Sequence, residues 1–441
     1  MEIKKITGGI PIPSILVKDI KREVKNILDF KNKIEKSFNK KTTDLIQIIL
    51  TGAFYLDASD IHIEPEEKQA KMRIRIDGVL HDVLTLDLNL LARLVSRIKL
   101  LSRLKLNVTT RPQDGRFSIL IEETSIEVRT SAIPAEYGES LVLRVLNPKW
   151  VVDMESLGLR KDLLELFKKE VEQPNGMIIC TGPTGSGKTT TLYAFLQKIQ
   201  NPGIKVITIE DPIEYHLKGI SQSQVDEAKG FTFSNGLRAI VRQDPDVILV
   251  GEVRDLETAQ IALQASLTGH LVLSTVHTND AAGTVSRLQG LGESLSNIAP
   301  ALNIAIGQRL VRKVCKKCVQ LKTIKPEHLK IIKNDLKNLP KQVKVPKLDE
   351  TTKTPHAKGC KFCGGLGYKG RIGIFEAFLI DDEIEKFILS SPSIAEMKEK
   401  AIKKGMVLMR QDGFIKVLEG ITTIDEVERI TVEEEALQKN I

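Results

Sequence analysis

A glycine-rich segment that carries one lysine is the strongest chemical signal in this 441-residue sequence. Residues 182–189 read GPTGSGKT and match the phosphate-loop pattern GxxxxGK[ST] without a mismatch. The apolar run MIICT leads into the segment and TTTLYAFLQKI leads out of it, as a strand and a helix would. Backbone N–H groups of such a loop bind phosphate oxygens at the positive end of the helix. The pattern therefore predicts a nucleoside triphosphate site made of Gly182, Pro183, Thr184, Gly185, Ser186, Gly187, Lys188, Thr189 and Thr190.

Two side chains of this loop have distinct expected roles. In a phosphate loop, Lys188 would neutralise the β and γ phosphates and the Thr189 hydroxyl would ligate Mg²⁺. Cys180 stands in the apolar run before the loop, where a cysteine is usually a small core residue rather than a nucleophile. The competing interpretation is a glycine-rich turn that matches by chance, and the flanking strand and helix argue against it.

Polar residues also follow three further apolar runs, where the strands of a doubly wound sheet present their site. VITIE ends in Glu210 and is followed by Asp211, while VILV is followed by Gly251 and Glu252. A triphosphatase needs such carboxylates to hold Mg²⁺ and to orient the attacking water. LVLSTV is followed by His277, which is placed to contact the terminal phosphate. Solvated turns and a structural histidine remain the alternatives at this stage.

Four arginines are candidates to neutralise charge on a transferred phosphoryl group. Arg238 and Arg242 are four residues apart and would share one face of a helix. Arg129 and Arg144 lie on separate predicted strands of an earlier region. From the residues alone, ordinary surface charge is the favoured explanation for Arg129 and Arg144.

Four of the five cysteines form two CxxC pairs, Cys315 with Cys318 and Cys360 with Cys363. In a chain of cytosolic type, paired CxxC motifs indicate metal ligation before disulfides. Four thiolates can surround one Zn²⁺ tetrahedrally in a closed, structural site. The 41 residues between the pairs must then fold back. A redox pair and unliganded buried cysteines are the alternatives.

Composition limits the class of protein and locates its charge. Hydrophobic residues make up 41% and charged residues 28%, which excludes wholesale disorder. No apolar run reaches the ~18–20 residues of a membrane span, and the N-terminus lacks an apolar signal region, so we expect a cytoplasmic protein. The net charge is +8, but residues 311–371 alone hold 17 Lys or Arg and 4 Asp or Glu, a net of +13. The rest of the chain is therefore mildly acidic, which makes nucleic acid an unlikely partner.

The order of apolar patterns predicts the architecture. We expect an α/β protein in which an α+β domain precedes a doubly wound core with a parallel sheet, followed by a cysteine module and a helical tail. The predicted segments are a Lys-rich lead-in (1–43), the α+β domain (44–148), the α/β core (149–310), the four-cysteine module (311–371) and a C-terminal helical region (372–441).

Several long motifs occur in one order: ASDIHIEP, PQDGR, GPTGSGKTTTLY, ITIEDPIEY, LRAIVRQDPDVILVGEVRD, GHLVLSTVHTNDA and QRLVRKVCKKC. Together they resemble the type II secretion / type IV pilus assembly ATPase family, from about Asp44 to the C-terminus. The resemblance implies hexameric rings in which a PAS-like N-terminal domain rotates against a RecA-like domain with ATP between them. Its Walker A, Asp box, Walker B and His box fall on 182–189, Glu210 with Asp211, Glu252, and His277.

The resemblance also implies nucleotide contacts for all four arginines named above, and zinc for the four cysteines, which pilus-retraction motors of the family lack. It implies a motor that hydrolyses ATP to drive pseudopilus or pilus assembly and protein secretion through inner-membrane platform proteins. Only about 40 residues precede Asp44, whereas members that serve secretion usually carry a longer N-terminal docking domain. That departure leaves open the docking partner and the choice between the secretion and pilus systems.

Two other functional classes remain alternatives on the sequence. One is a RecA-like nucleic-acid translocase, since such rings also move DNA; a salt-sensitive DNA affinity with DNA-stimulated turnover would favour it. The other is an adaptor that binds partners while nucleotide turnover is slow. Because the positive charge is confined to residues 311–371, it weakens the translocase alternative and favours contact of this segment with an anionic membrane surface or an acidic partner.

Overall fold

The computed structural model describes residues 9–148 and 152–438, with side chains described through residue 431. The chain divides into two compact units. The first holds the described residues up to 148 together with 315–319 and 357–370, and the second holds 152–314, 320–356 and the residues from 371 onward. The predicted mixed α/β architecture is confirmed. The domain boundaries and the PAS-like character of the first domain stay predictions.

The first unit is built on an antiparallel sheet with helices against it. Its elements in chain order are β1 (Gly9–Pro11), α1 (Ser14–Glu23), α2 (Ile27–Glu35), α3 (Thr42–Tyr55), β2 (Ala58–Pro65), β3 (Ala70–Ile76), β4 (Val79–Leu86), α4 (Leu88–Leu101), β5 (Gln113–Ile121), β6 (Thr124–Ala135) and β7 (Gly138–Leu146). In the described residues these strands form one seven-stranded sheet in the order β1-β5-β6-β7-β2-β3-β4. Every neighbouring pair is antiparallel except β1 with β5.

Side-chain alternation explains why this sheet has one buried face. Along β3, Ala70, Met72 and Ile74 are fully buried while the intervening Lys71, Arg73 and Arg75 are only half-buried. Residues Asp77 and Gly78 both take positive φ, as the tight turn between β3 and β4 requires. The lead-in helices α1 and α2 also bury apolar residues in the core of this unit, for example Ile20 and Phe30. The Lys-rich N-terminal segment is therefore structured where it is described.

The second unit contains the predicted doubly wound sheet. The elements after residue 151 are α5 (Lys161–Glu170), β8 (Gly176–Thr181), α6 (Lys188–Ile199), β9 (Val206–Glu210), β10 (Ser221–Gln224), α7 (Phe233–Val241), β11 (Val247–Val250), α8 (Leu256–Leu267), β12 (Leu271–Val276), α9 (Gly283–Gly290), α10 (Leu295–Ala301), β13 (Leu302–Val314), β14 (Val319–Thr323), α11 (Pro326–Asp335), β15 (Lys353–Ala357), β16 (Tyr368–Leu379), α12 (Asp382–Leu389), α13 (Ile394–Lys403), α14 (Met409–Leu418) and α15 (Ile424–Gln438).

Seven of these strands form one sheet over the described residues, in the order β10-β9-β11-β12-β8-β13-β16. The pairs from β10 through β13 are parallel. β8, β9, β11 and β12 are buried at every position, which explains why their sequences are continuous apolar runs rather than alternating ones. All their carboxyl ends lie at one edge, where the loops that follow them meet.

Helices α12 to α15 confirm the predicted helical tail. Two buried ion pairs fasten it within the second unit: Glu426 of α15 accepts from Arg312 of β13 at 2.7 Å, and Asp412 of α14 lies 3.0 Å from Arg160. No helix of the described chain is both long and apolar enough to cross a membrane.

Candidate functional site

The phosphate loop leaves the carboxyl end of β8 and enters α6 as the sequence predicts. Gly182, Gly185 and Gly187 all have positive φ, so the loop needs the conformational freedom of glycine. At Gly182 space is also limiting, because a Cβ would lie 2.5 Å from the Gln308 carbonyl oxygen. The tip residues Pro183, Thr184 and Gly185 are exposed. The backbone of the loop is therefore free to approach a phosphate at its tip while its base is packed against the neighbouring strand.

Lys188 points back into its own loop. Its Nζ donates to the carbonyl oxygens of Gly182 and Pro183, at 2.7 and 3.2 Å. The residue is 9% exposed, and this burial lowers the pKa of the Lys188 ammonium. Burial also raises the pKa of the Cys180 thiol to about 12. A thiol in that state is protonated and inert near neutrality, which agrees with the core role expected for Cys180.

Glu252 follows β11 and faces His277, which follows β12. Its Oε2 lies 3.3 Å from His277 Nε2, and its Oε1 lies 2.5 Å from Arg254 Nη2. The Glu252 side chain is 13% exposed, and Oε2 has no hydrogen-bond partner among the described residues. A nearly buried carboxylate oxygen in this state can accept a proton from a water molecule or ligate a cation.

Glu210, at the end of β9, is held very differently. Its carboxylate accepts hydrogen bonds from the Tyr193 hydroxyl, from Thr208 Oγ1 at 2.6 Å and from Gln222 Nε2 at 3.1 Å. Glu210 is buried, and burial together with the Glu210 charge raises the pKa of the Tyr193 phenol, which stays protonated as a donor. Because Tyr193 lies on α6, this network ties the end of β9 to the helix that follows the phosphate loop.

The donor set of this sheet edge fits Mg²⁺. Thr189 offers a hydroxyl at the start of α6, and Glu252 offers Oε2, which accepts no hydrogen bond among the described residues. Asp211 is exposed beside Glu210. Hydroxyl and carboxylate oxygens are the hard ligands that Mg²⁺ prefers. Thr181 further joins the site, since its Oγ1 accepts from the Thr278 backbone N–H at 3.0 Å and so holds the His277 loop against β8.

The four predicted arginines are divided between the two units. Arg238 and Arg242 are exposed at the end of α7, and Arg238 pairs with Glu257 of α8 at 2.6 Å. Arg129 and Arg144 belong to the first unit, where they lie directly opposite each other on β6 and β7. In the same row, Arg116 lies opposite Arg129, and Asp60 lies opposite Arg144. The roles of all four arginines in nucleotide binding stay predictions.

This row gathers positive charge on the sheet of the first unit. Like charges opposite each other destabilise a sheet unless an anion compensates them. Asp60 accepts from Arg144 Nε at 3.0 Å, and Glu127 accepts from Arg129 Nε at 3.2 Å, which compensates the row in part. Arg116 is the member of the row that sequence reasoning did not single out.

The four predicted zinc ligands come together in the first unit. Their Sγ atoms all lie within 4.8 Å of one another, with separations of 3.7 Å between Cys318 and Cys363, 3.8 Å between Cys360 and Cys363, and 4.0 Å between Cys315 and Cys360. Zinc with Zn–S bonds of about 2.3 Å in tetrahedral geometry requires S···S distances of about 3.8 Å. The donor set therefore fits Zn²⁺, and the cysteines are free of disulfides.

Backbone hydrogen bonds shape this cysteine knuckle, which comprises residues 315–319 and 357–370. Cys363 Sγ accepts from the backbone N–H groups of Cys360 and Gly367, both at 3.2 Å. Cys315 N–H donates to the Gly367 carbonyl at 2.9 Å, which brings the two CxxC segments side by side. The Gly370 N–H donates to Asp77 Oδ2 at 2.8 Å, so the knuckle is also attached to the β3–β4 turn.

Sequence reasoning missed four residues around the phosphate loop: Tyr193, Arg254, Gln308 and Arg309. Gln308 accepts a hydrogen bond from Thr191 Oγ1 at 2.8 Å, and Arg309 lies beside Gly182. All four fall within quoted motifs: Tyr193 ends GPTGSGKTTTLY, Arg254 lies in GEVRD, and Gln308 and Arg309 open QRLVRK. None of these motifs indicated the contacts that these side chains make.

With this geometry described, two relatives by sequence are informative. The chain is 45% identical over 394 residues to a type II secretion system protein E of Dickeya dadantii, covering 88% of this chain and 76% of that protein. It is 40% identical over 436 residues to the type IV pilus assembly ATPase PilB of Thermus thermophilus, covering 98% of this chain and 47% of that protein. The chain thus spans about half the length of this second relative.

Solved structures agree in fold. The ATPase DotB of Legionella pneumophila superposes with a TM-score of 0.64 at 22% identity, covering 90% of this chain and 97% of that one. The pilus retraction motor PilT with bound ADP superposes with a TM-score of 0.58 at 25% identity, covering 89% of this chain and 98% of that one. The model of the family described as type II/IV secretion system protein matches residues 35–429, most of the sequence. The chain therefore belongs to the type II/IV secretion system protein family.

Proposed function

We propose that this chain hydrolyses ATP as the motor of a type II secretion or type IV pilus assembly system, and that it drives pseudopilus or pilus assembly. One observation carries the proposal: at a single sheet edge, a phosphate loop faces a nearly buried Glu252 with an available carboxylate oxygen. The relatives named type II secretion system protein E and type IV pilus assembly ATPase support the biological setting.

In this proposal, ATP binds with its phosphates against the backbone N–H groups of the loop and the Lys188 ammonium. Glu252 accepts a proton from a water molecule, whose oxygen attacks the γ-phosphorus. A new P–O bond forms, the bond to the β–γ bridging oxygen breaks, and ADP and phosphate leave. Mg²⁺ would be held by the Thr189 hydroxyl and a carboxylate of this edge, and it would supply positive charge to the phosphate oxygens.

The neighbouring residues have supporting roles. His277 contacts the Glu252 carboxylate and is placed to sense the terminal phosphate from the end of β12. The Glu210 carboxylate accepts hydrogen bonds from three neutral donors. Glu210 therefore positions the end of β9 and the neighbouring Asp211, which binds the nucleotide cofactor. In this proposal, the terminal phosphate at the sheet edge remains accessible to a further cationic side chain.

We place the chain in a homo-hexamer, in which a closed rotation brings one subunit's surface to the next subunit's nucleotide. The Arg129–Arg144 row then reaches a phosphate bound to the adjacent protomer, with Arg238 and Arg242 as the second pair. The gathering of Arg116, Arg129 and Arg144 in one cross-strand row supports this role, because three guanidinium groups lie close together there.

The cysteine knuckle is proposed as a structural Zn²⁺ site and as a partner surface. It holds five exposed lysines and no acidic residue: Lys316, Lys317, Lys358, Lys361 and Lys369. Two of these lysines lie over the exposed Phe362 ring, at 4.1 and 5.2 Å from its centroid. This surface suits an acidic partner or the anionic face of a membrane, with inner-membrane platform proteins as the expected partners and the cytoplasm as the location.

ATP turnover by the purified full-length chain is the first test. Wild type should hydrolyse ATP, and Lys188→Ala should abolish turnover because it removes the cation that neutralises the phosphates. Lys198→Ala is the matched control, since Lys198 is exposed in the last turn of the same helix. Undiminished turnover in Lys188→Ala would refute the loop assignment.

A pull-down of inner-membrane platform components tests the biological role. We expect the wild-type chain to recover them in a nucleotide-dependent way. Recovery of none, with or without nucleotide, would sink the assembly-motor proposal. DNA-stimulated turnover that falls steeply with salt would favour the nucleic-acid translocase instead.

A further inference from the structure

Arg309 occupies an unusual position for an arginine. It is 7% exposed in β13, and its Nη1 lies 3.1 Å from where a Cβ of Gly182 would stand. Gly182 is the first residue of the phosphate loop. A nearly buried guanidinium therefore lies against the base of the loop, in the same unit as Lys188 and Glu252.

Strand register explains this placement. β13 runs parallel to β8, and Gly307 pairs with Thr181, the last residue of β8. β13 continues to Val314, whereas β8 ends at Thr181. Gln308 and Arg309 therefore lie beyond the end of β8, beside the loop that begins at Gly182. Gln308 contacts α6 through Thr191 at 2.8 Å, so this side of the loop is fixed by one short stretch of β13.

Arg309 also reaches the loop after β12. Its Nη2 donates to the Asn279 carbonyl at 3.1 Å, two residues beyond His277. Its Nη1 makes a long contact with the Gln308 carbonyl at 3.4 Å. Arg309 therefore bridges the first residue of the phosphate loop and the segment that carries the proposed phosphate sensor.

Two cations, Lys188 and Arg309, lie near each other at the base of the loop. Burial is the main cause of the lowered pKa of Lys188, and the nearby Arg309 charge lowers it further, while Cys180 and Glu252 act in the opposite direction. Glu252 is itself paired with Arg254 at 2.5 Å. The hydrogen bonds that Lys188 donates go to neutral carbonyl oxygens, which orient its charge without neutralising it. A bound triphosphate supplies negative charge at this point.

We propose that Arg309 is a phosphate-binding residue that acts within its own subunit and contacts the terminal phosphate of ATP together with Lys188. Its bond to Asn279 then connects terminal-phosphate occupancy to the His277 loop. The inference rests on the proposed ATP-binding function and deepens it, because it makes Arg309 a source of discrimination between ATP and ADP.

Calorimetric binding of a non-hydrolysable ATP analogue and of ADP to the full-length protein tests the inference. Arg309→Gln should weaken binding of the ATP analogue about tenfold or more, as expected for a lost hydrogen bond to a charged group, and should weaken ADP binding less than about threefold. Arg309→Lys keeps the positive charge, and its affinity for the ATP analogue should lie between those of wild type and Arg309→Gln. Lys313→Gln is the matched control, since Lys313 is an exposed cation four residues further along β13.

Equal weakening of both nucleotides, or unchanged binding in a folded Arg309→Gln protein, would overturn the assignment. Thermal melting of each variant without nucleotide establishes that it is folded. If Arg309→Gln does not fold, Arg309→Lys decides, because wild-type ATP-to-ADP preference in that variant would also contradict the assignment. Wild type that binds neither nucleotide would instead defeat the proposed function itself.

Discussion

The phosphate loop and the cysteine knuckle are both shaped by glycines with positive φ, but the two turns hold different kinds of ligand. The loop contains three glycines with positive φ, at 182, 185 and 187, and the knuckle contains five, at 359, 364, 365, 367 and 370. In the knuckle, the backbone turns four identical ligand atoms toward one point, with Sγ atoms within 4.8 Å of one another. In the loop, the backbone turns around a buried ammonium, while the carboxylate that completes the site comes from a different strand.

The difference separates a permanent site from an exchanging one. A single Zn²⁺ would satisfy all four thiolates at once, so nothing in the knuckle favours its departure. The proposed nucleotide site instead has Lys188 and Arg309 on one side, and Glu252 on another strand, where its Oε2 accepts no hydrogen bond among the described residues. A nucleotide that binds between these groups can be cleaved and released, so the site is emptied in each cycle.

The largest expected effect is loss of the metal from the knuckle. Cys315→Ser should reduce zinc from one per chain to none by elemental analysis, because a closed site needs all four ligands. Structural zinc contributes on the order of 10–16 kcal/mol in zinc-finger peptides, so residues 315–319 and 357–370 should lose amide-exchange protection. The Gly370–Asp77 hydrogen bond should open with them.

Cys180→Ala is the matched control for that variant and should retain zinc, since Cys180 lies in β8. A wild-type protein that is folded, protected in the knuckle and free of metal would contradict the zinc assignment. Retained ATP turnover in Cys315→Ser would sharpen the comparison, because it would show that the two sites act independently.

Glu252→Gln should lower single-turnover ATP cleavage by about 10²–10⁴-fold, the range for removal of a positioned general base. Nucleotide binding should persist, since the amide keeps the shape of the side chain and one acceptor oxygen. Glu165→Gln, on the exposed face of α5, makes the same chemical change away from the site. Normal cleavage by Glu252→Gln would mean that another group acts as the general base. The difference in hydrogen bonding between Glu252 and Glu210 would then have no catalytic meaning.

Tyr193→Phe should have an intermediate effect. It removes the phenol donor from Oε2 of the buried Glu210 carboxylate and leaves that oxygen without its donor, which costs about 1–3 kcal/mol of unfolding free energy. Chemical denaturation measures the loss. Tyr215→Phe serves as the comparison because its ring packs against Tyr193 edge-on, with centroids 6.4 Å apart. Equal stability of wild type and Tyr193→Phe would mean that Thr208 and Gln222 suffice to hold Glu210.

Local patterns in the sequence predicted most of the fold and the inner part of the site. The loop from Gly182 to Thr189 is contiguous, and apolar runs bound it, so its strand and helix were readable. The cysteines were recognisable by spacing even though 41 residues separate the pairs, because two CxxC motifs have few other uses. The residues that surround this inner part of the site could not be predicted from local patterns.

Residues placed by long-range strand register escaped prediction. Arg309 reaches Gly182 because β13 pairs with β8 in one register and extends beyond the end of β8. No local sequence pattern encodes that pairing. Likewise, Gln222 reaches Glu210 across the β9–β10 pair, and Arg116 joins the Arg129–Arg144 row through the pairing of β5 with β6. Periodicity shows which face a residue occupies but not which residue lies opposite.

The smallest effect is expected for Cys180, the one cysteine in the strand that leads to the phosphate loop. Burial raises the pKa of its thiol to about 12, so alkylating reagents at pH 8 should leave it unmodified in the folded protein, while the knuckle cysteines react once a chelator has removed zinc. Cys180→Ala should change ATP turnover less than about twofold and cost about 1 kcal/mol in stability, the price of one small buried group. Fast alkylation of Cys180 that also blocks turnover would contradict this expectation. It would mean that β8 opens at its end, and that the loop it supports moves more than the packing of Gly182 against β13 allows.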